Sequence, residues 1–370
     1  MIDLKDYGFT DYYSIEEEFT FPVSSTKVTE EDIIYARVSA VHRELYKVIT
    51  KHGEVSAKLK GTFYNQAVVA EDFPAVGDFV VIKYNTMGDS QILKVCRRKS
   101  KFSRPDYSGH AAGYVKTIRE QVVAANFDYV FIMASLNYDF NINRILRYIT
   151  VTWESGGSPV VLLSKADLVE DYSKQLKLIQ EQAIGVDVYV ISSIEGLGLN
   201  QLDDYLKPKK TLVFLGSSGV GKSTLVNALA GEELMKVNDI REDDSRGRHT
   251  TTHRQLIRLN NGVLIIDTPG MRELGMWDIG EGLGEAFSDI EELFANCRFS
   301  NCTHSSEPGC AVHTAMEDGT LEKSRWKNYL HIKSEAKFTE EKSTYMKNKK
   351  DFMKKISKDA KAKSTNGGKR

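Results

Sequence analysis

The chain has 370 residues, which exceeds the usual size of one domain and predicts two or three. Its 41% hydrophobic and 27% charged residues are typical of a globular protein with hydrophobic cores. The sequence holds no run of 18 apolar residues and does not begin with a basic segment followed by an apolar run. We therefore expect neither a membrane span nor a secretory signal, and we expect a cytoplasmic protein.

The net charge of −1 conceals two terminal segments of opposite sign. Residues 1–32 contain nine Asp and Glu against two Lys, and are interpreted as an acidic extension. Residues 336–370 are interpreted as a basic tail, because 341–370 carry eleven Lys and Arg against three acidic residues. Such a tail suits a phosphate-rich partner, and a purely solubilising tail is the alternative.

Short alternating runs between residues 33 and 100 predict about five strands separated by Gly and Pro turns. This number of short strands favours a small closed barrel of the OB type, a fold that often binds oligonucleotides. An SH3-like or purely structural barrel is the alternative. The expected strands lie at 34–38, 46–49, 55–59, 67–69, 78–82 and 92–95.

Residues 101–120 are basic and turn-rich, and are interpreted as a linker. From 121 to 280, apolar strands alternate with helical patterns, which predicts a mostly parallel sheet with helices on both faces. Residues 281–335 are helical and carry Cys and His. The expected strands of the sheet are 129–133, 159–163, 188–191, 211–215 and 263–266, and the expected helices are 142–153, 172–182 and 222–230.

A complete G-x-x-x-x-G-K-S motif follows the strand 211–215 and opens the helix 222–230. Its glycines let backbone N–H groups converge on phosphate oxygens, and the helix N-terminus adds partial positive charge. We expect Lys222 to contact the β- and γ-phosphates and the Ser223 hydroxyl to bind Mg²⁺. A chance Gly/Ser-rich turn would lack the flanking strand and helix. The predicted residues are Gly216, Ser217, Ser218, Gly219, Val220, Gly221, Lys222, Ser223 and Thr224.

Two segments after this loop suit a bound triphosphate. Asp267 ends a strand, where it can bind Mg²⁺ through water, and the Gly270 amide could sense the γ-phosphate. The polar segment 246–252 lies between them, and one of its threonines could close over Mg²⁺. Thr251 is the preferred candidate, with its neighbours Thr250 and Thr252 left open.

A carboxylate facing the donor edge of guanine would select GTP over ATP. No downstream segment offers one, but two upstream strands end in suitable loops, where open α/β sheets bind ligands. Asp167 would accept from the guanine N–H groups, and the Lys165 side chain would pack on the base. A solvated loop is the alternative. The predicted base-binding residues are Ser164, Lys165, Ala166, Asp167, Ser192 and Ser193.

Four residues near the C-terminal helices have the spacing of a zinc site. Cys297, Cys302, His304 and Cys310 offer three thiolates and one imidazole, which is a complete tetrahedral set and predicts one structural Zn²⁺. Reduced buried cysteines are the alternative, and His313 is a spare imidazole. Nearby basic residues suit contacts with structured RNA or a solvated helix face. They are Arg298, Lys323, Arg325, Lys327 and Lys333.

The order of these motifs, with base-binding loops before the phosphate loop, resembles the circularly permuted GTPases of the ribosome small-subunit-dependent GTPase A family. The resemblance covers residues 33–335. It rests on VGDFV at 76–80, EQVVAANFD at 120–128, GSSGVGKST at 216–224, RGRHTTTHR at 246–254 and the Cys/His cluster. Ser164 is a departure, because the family usually has Asn or Thr there, which puts the strength of base binding in question.

The resemblance implies a slow GTPase that cycles between GTP and GDP with Mg²⁺ and is stimulated by the small ribosomal subunit. It would act late in subunit maturation, bind rRNA and leave on hydrolysis. We expect a monomer, with neither a membrane nor DNA as partner.

A catalytic group is needed because Met271 occupies the position after D-x-x-G where many GTPases have a water-orienting Gln. In the resembled family the histidine that matches His249 takes this role, so we assign it to His249, with Lys222 and Thr251 as the other catalytic candidates. A mere contact of His249 with rRNA or solvent is the alternative. Two rival functions are a P-loop kinase or ATPase, and a non-catalytic RNA-binding scaffold.

Overall fold

The computed structural model describes residues 1–14, 32–42, 45–61, 72–106, 119–235, 254–267 and 280–337. The expected strand at 67–69 and the basic tail after residue 337 lie outside these ranges.

The alternating runs of the N-terminal region form a closed five-stranded barrel. β1 pairs antiparallel with β2 and β4, β2 pairs antiparallel with β3, β3 pairs parallel with β5, and β5 pairs antiparallel with β4. This ring confirms the OB-type barrel. Its centre is filled by small and branched residues such as Ala36, Val48 and Ile92, all fully buried. The strands are β1 Ile33–His42, β2 Leu45–Thr50, β3 Gly53–Leu59, β4 Phe79–Lys83 and β5 Ser90–Val95.

The first 14 residues pack on this barrel. Two short 3-10 turns, Leu4–Tyr7 and Asp11–Tyr13, place Phe9 and Tyr13 against the Phe79 ring, with centroid distances of 5.3 and 4.3 Å. The start of the acidic extension therefore contributes aromatic surface to the barrel.

The structure differs from the expected linker at residues 101–106. β6 (Lys101–Asp106) pairs antiparallel with β7 (Arg119–Ala125), so residues 101–106 are a strand. Gly77 fixes the end of β7 against the barrel. Its φ of +92° is left-handed, and a Cβ there would lie 2.1 Å from the Ala125 carbonyl oxygen, so the close approach requires glycine.

The second half of the chain forms the predicted parallel sheet. β8 lies between β9 and β11, β9 is flanked by β10, and β11 is flanked by β13, all in parallel pairs. β12 pairs antiparallel with β13 and contacts β1 through Ala40 and Gln255, which joins the sheet to the barrel. The elements are β8 Tyr129–Ser135, α1 Ile142–Glu154, β9 Ser158–Ser164, α2 Ser173–Gln182, β10 Asp187–Val190, β11 Thr211–Leu215, α3 Lys222–Ala230, β12 Gln255–Arg258 and β13 Leu264–Asp267.

Four helices follow the sheet and pack on its α1 face. α4 (Gly280–Ala286) lies against α1, where the Gly282 N–H donates to Glu154 Oε2 at 2.8 Å. α5 (Ser288–Phe294), α6 (Ala311–Asp318) and the last described helix, α7 (323–337), continue the same core. Within the described ranges, no helix combines the length and the apolarity that crossing a membrane requires.

Candidate nucleotide and metal sites

The predicted nucleotide-binding residues that the structure describes lie at one edge of the sheet. β9, β10, β11 and β13 run parallel, so their carboxyl ends share that edge, which is where open α/β sheets bind ligands. The chain order of these loops is base-binding first and phosphate loop second.

The phosphate loop leaves β11 and enters α3 through left-handed glycines. Gly216 has φ of +150°, and a Cβ there would lie 2.6 Å from the Met133 carbonyl oxygen on β8. Gly221, with φ of +102°, is the N-cap of α3. Lys222 Nζ donates to the carbonyl oxygens of Gly216 at 2.8 Å and Ser217 at 2.6 Å, so the ammonium lies inside the loop.

The remaining loop residues divide into exposed and covered positions. Ser218 and Gly219 are exposed, Val220 is buried, and Ser223 and Thr224 at the start of α3 are half-buried.

Ser164 brings the first base-binding loop to the phosphate loop. It is 2% exposed, and its hydroxyl donates to the Val220 carbonyl oxygen at 2.7 Å across 56 residues of chain. The two segments therefore meet despite their reversed order. The serine at this position, where the resembled family has Asn or Thr, makes the connection with its hydroxyl.

The second base-binding loop closes on the first through Asp167. The Ser192 hydroxyl donates to Asp167 Oδ1 at 2.6 Å and accepts from the Glu195 N–H at 3.2 Å. The Ala166 N–H donates to the Ile191 carbonyl oxygen at 3.2 Å.

The two other predicted base-binding residues are also placed at this loop pair. Lys165 occupies a left-handed conformation with φ of +62°, and Ser193 beside Ser192 is half-buried. All six residues thus lie in one pair of contacting loops.

Asp267 ends β13, the strand beside β11. Burial raises the pKa of its carboxyl above the ordinary value, while Lys222 acts in the opposite direction. A bound cation would stabilise the charged form of this carboxylate. The other residues predicted to act at the γ-phosphate, namely His249, Thr250–Thr252 and Gly270, lie outside the described residues.

The structure adds one residue that the motifs missed. Asp139, on the loop after β8, accepts a hydrogen bond from the Ser217 hydroxyl of the phosphate loop. A polar run directly after a buried parallel strand was the available signal, since the neighbouring strand β11 carries the phosphate loop.

The Cys/His cluster assembles as the spacing predicts. The ligand atoms of Cys297, Cys302, His304 and Cys310 all lie within 4.8 Å of one another. His304 Nδ1 is 3.5 Å from Cys297 Sγ and 3.6 Å from Cys310 Sγ, and its ring stacks on Phe294 at 4.2 Å. Burial lowers the pKa of His304, which favours the neutral imidazole that binds metals. Three sulfurs and one nitrogen fit a tetrahedral Zn²⁺.

Two residues near the cluster have other partners than expected. His313, the spare imidazole, places Nε2 3.2 Å from the His304 carbonyl oxygen. Arg325, a candidate RNA contact from the sequence, is 2% exposed and pairs with Asp289, so its guanidinium is not accessible to RNA.

A phosphate loop that follows its base-binding loops along the chain, on one parallel sheet, defines a circularly permuted GTPase. Flanked by an OB-type barrel and a C-terminal Cys/His module, this arrangement is similar to several known proteins. A family model described as RsgA GTPase matches residues 95–277.

The relatives show the same family over nearly the full chain. The small ribosomal subunit biogenesis GTPase RsgA 2 of Listeria monocytogenes is 47% identical over 336 residues, covering 90% of each chain. The structure of YjeQ from Thermotoga maritima aligns with a TM-score of 0.61 at 27% identity, covering 82% of this chain and 98% of that one. YloQ, a circularly permuted GTPase, aligns with a TM-score of 0.59 at 26% identity, covering 85% and 98%. The chain therefore belongs to the RsgA GTPase family and is a GTP-hydrolysing enzyme.

Proposed function

We propose that this GTPase acts at a late stage in maturation of the small ribosomal subunit. It binds rRNA and is activated by the subunit. The single observation that supports the nucleotide part is the hydrogen bond from the Ser164 hydroxyl to the Val220 carbonyl oxygen, which joins the loop at Asp167 to the phosphate loop. The ribosomal part is supported by relatives named for small ribosomal subunit biogenesis. The protein would act in the cytoplasm as a monomer, without DNA or membrane partners.

The proposed nucleotide pose follows from the loops. The Asp167 carboxylate accepts from the guanine N–H groups, while its Oδ1 also accepts from Ser192 and is held in place. Lys222 leaves the loop carbonyls to contact the β- and γ-phosphates, which replace the lost hydrogen bonds with charge-assisted ones. Ser223 and Asp267 would hold Mg²⁺, which would offset the charge of the phosphates.

His249 is the proposed water-orienting group, and Thr251 would help to hold Mg²⁺. The support is chemical, because Met271 has a thioether that cannot orient water. His249→Ala should retain GTP affinity and lose the subunit-stimulated rate, by at least about tenfold. Single-turnover GTP hydrolysis with saturating small subunits measures this effect. Stimulated turnover at the wild-type rate would remove His249 from the mechanism.

The metal would be structural in this proposal. Cys297, Cys302, His304 and Cys310 supply four ligands, so a tetrahedral Zn²⁺ has no position left for a substrate water. The ion would stabilise helices that are too short to form a core unaided. Beside it, Arg298 stacks on the partly exposed ring of Phe299 at 5.4 Å, a pair suited to contacts with structured RNA.

GTP turnover with small subunits, large subunits and free rRNA tests the proposal. The largest stimulation is expected with small subunits, with a smaller effect of free rRNA and none of large subunits, if the folded small subunit is the activator. Equal turnover in all three mixtures would reject the subunit as activator. A basal GTPase rate that persists in every mixture would leave the enzymatic part intact.

A further inference from the structure

Asp139 lies beside the phosphate loop although it is 77 positions before the loop begins. It follows β8, the strand that pairs with β11 through Ile132 and Leu215. The loop after β8 therefore runs along the start of the phosphate loop at the carboxyl edge of the sheet. The Asp139 side chain contacts Ser217 on one side and Arg144 on the other.

Both carboxylate oxygens of Asp139 are used. Oδ2 accepts from the Ser217 hydroxyl, and Oδ1 accepts from the Arg144 guanidinium at 2.7 Å. The same guanidinium nitrogen also donates to the Asp139 carbonyl oxygen at 2.7 Å. Because Arg144 contacts both the side chain and the backbone of Asp139, it fixes the carboxylate in orientation and offsets its charge.

Arg144 itself is held by the helix that follows. It lies in the first turn of α1, and its N–H donates to the side-chain oxygen of the N-cap Asn141 at 3.0 Å. The Asp139 carboxylate is thus anchored to a regular helix, while the Ser217 hydroxyl that it holds belongs to the phosphate loop. Anchoring a loop to a rigid element lowers the entropy that the loop must lose on binding a ligand.

Ser217 connects this anchor to Lys222. Its side chain is held by Asp139, while its carbonyl oxygen accepts from Lys222 Nζ at 2.6 Å. Ser217 is 6% exposed, so water competes weakly for either contact. The position of this residue therefore sets where the ammonium of Lys222 begins before it moves to a phosphate.

We propose that Asp139 is a positioning residue, which holds the first turn of the phosphate loop through Ser217 so that GTP and GDP meet a preorganised loop. This inference rests on the proposed nucleotide site. The negative charge of Asp139 is compensated by Arg144, so Asp139 acts through the geometry of the loop. Both nucleotides share the phosphates next to the first turn, so their affinities should change together.

The test is a double-mutant cycle in the full chain, made of Ser217→Ala, Asp139→Ala and the double variant. Fluorescent GDP and a non-hydrolysable GTP analogue report Kd, and GTP turnover reports KM and kcat. Each single variant should raise Kd for both nucleotides roughly tenfold, because the nucleotide must then order a loop that is no longer held in place. KM should rise by a larger factor than kcat falls, because the affected contact is present before the transition state. The double variant should bind no more weakly than the worse single variant, because both changes remove the same bond.

Asp204→Ala is the matched control, because it removes an exposed carboxylate that pairs with Lys207 at 3.2 Å on the same domain, and it should keep the wild-type Kd. Thermal unfolding without nucleotide checks that each variant folds, and Asp139→Leu, which has a similar size and no acceptor, replaces Asp139→Ala in the cycle if the latter does not. Single variants with the wild-type Kd, or losses that multiply in the double variant, would overturn the inference. A wild-type protein that binds neither nucleotide would instead refute the proposed function.

Discussion

Two buried arginines join the flanking modules to the central sheet, and they do so with different partners. Arg37 on β1 donates to the carbonyl oxygens of Gly77 at 3.1 Å and Asn126 at 2.9 Å, and to the Thr211 hydroxyl at 3.1 Å. Arg37 also donates a hydrogen bond to the carbonyl oxygen of Tyr7 in the N-terminal turns. Each guanidinium lies over a phenylalanine ring, at 4.8 Å for Arg37 and 4.7 Å for Arg325.

Arg325 on α7 has a carboxylate partner. It forms two hydrogen bonds to Asp289 and donates to the carbonyl oxygens of Gln182 at 2.6 Å and Ala286 at 3.1 Å. Among the residues that the structure describes, no carboxylate lies within ion-pair distance of Arg37. Burial accordingly lowers the pKa of Arg37 to about 10, although nearby Asp128 and Asp78 act in the opposite direction.

The difference indicates how each junction is specified. The barrel is attached by a cation that ties together three backbone carbonyl groups and one hydroxyl from four separate segments, so its stability depends on all of them being in place. The C-terminal module is attached through the bond from Arg325 to the Gln182 carbonyl oxygen on α2. The ion pair of Arg325 with Asp289 lies inside the module, whose own fold would also rely on the metal cluster. We therefore expect the two flanks to fail under different treatments.

Removal of zinc should have the largest effect on stability, and the loss should be limited to the C-terminal module. Structural zinc contributes roughly 10–16 kcal/mol of apparent binding free energy, and Cys310→Ser or a strong chelator would remove most of it. Hydrogen exchange should show lost protection in α5 and α6, with the barrel strands β1–β5 still protected. Uniform loss of protection across both flanks would contradict independent junctions.

Arg37→Met should be the next largest effect, at about 3–5 kcal/mol in the free energy of unfolding, because it leaves several buried acceptors without a donor. Arg325→Met should cost less, about 2–3 kcal/mol, because Asp289 is 30% exposed and can be solvated. Urea unfolding of the two variants measures both values. Equal losses would show that the carboxylate partner makes no difference.

Alkaline pH should give the smallest effect, on the barrel side. Burial raises the pKa of Tyr13 from its ordinary value of 10.0 to about 12. A raised folded pKa means that the stabilisation is fully present below pH 10 and is lost as pH rises toward 12. Between pH 9 and 11, the free energy of unfolding should fall further in wild type than in Tyr13→Phe, by at most about 1 kcal/mol. Parallel pH profiles of the two proteins would contradict this assignment.

Features encoded by neighbouring residues were predictable from the sequence. The phosphate loop, the zinc spacing and the alternating barrel strands each occupy one continuous segment, and the helix expected at 142–153 is observed as Ile142–Glu154. Local spacing determines these features because their hydrogen bonds and ligands are close along the chain.

Contacts between distant segments were not predictable. Arg37 meets Asn126 and Thr211 across 89 and 174 residues, and Asp139 meets Ser217 across 78, so no local pattern marks them. Residues 1–14 were interpreted by their acidic composition, whereas Phe9 and Tyr13 determine their packing. The strand Lys101–Asp106 resembled a linker because its basic side chains conceal the two-residue period.

The loop at Asp167 and the phosphate loop are proposed to bind a single guanosine triphosphate. Xanthosine triphosphate has a carbonyl oxygen where guanine has its amino group, so Asp167→Asn would offer it a matching donor. Competition binding should show wild type preferring GTP, and the variant preferring xanthosine triphosphate, each by roughly a hundredfold. A variant that retained the wild-type preference for GTP would contradict the account, because the base would then be read elsewhere.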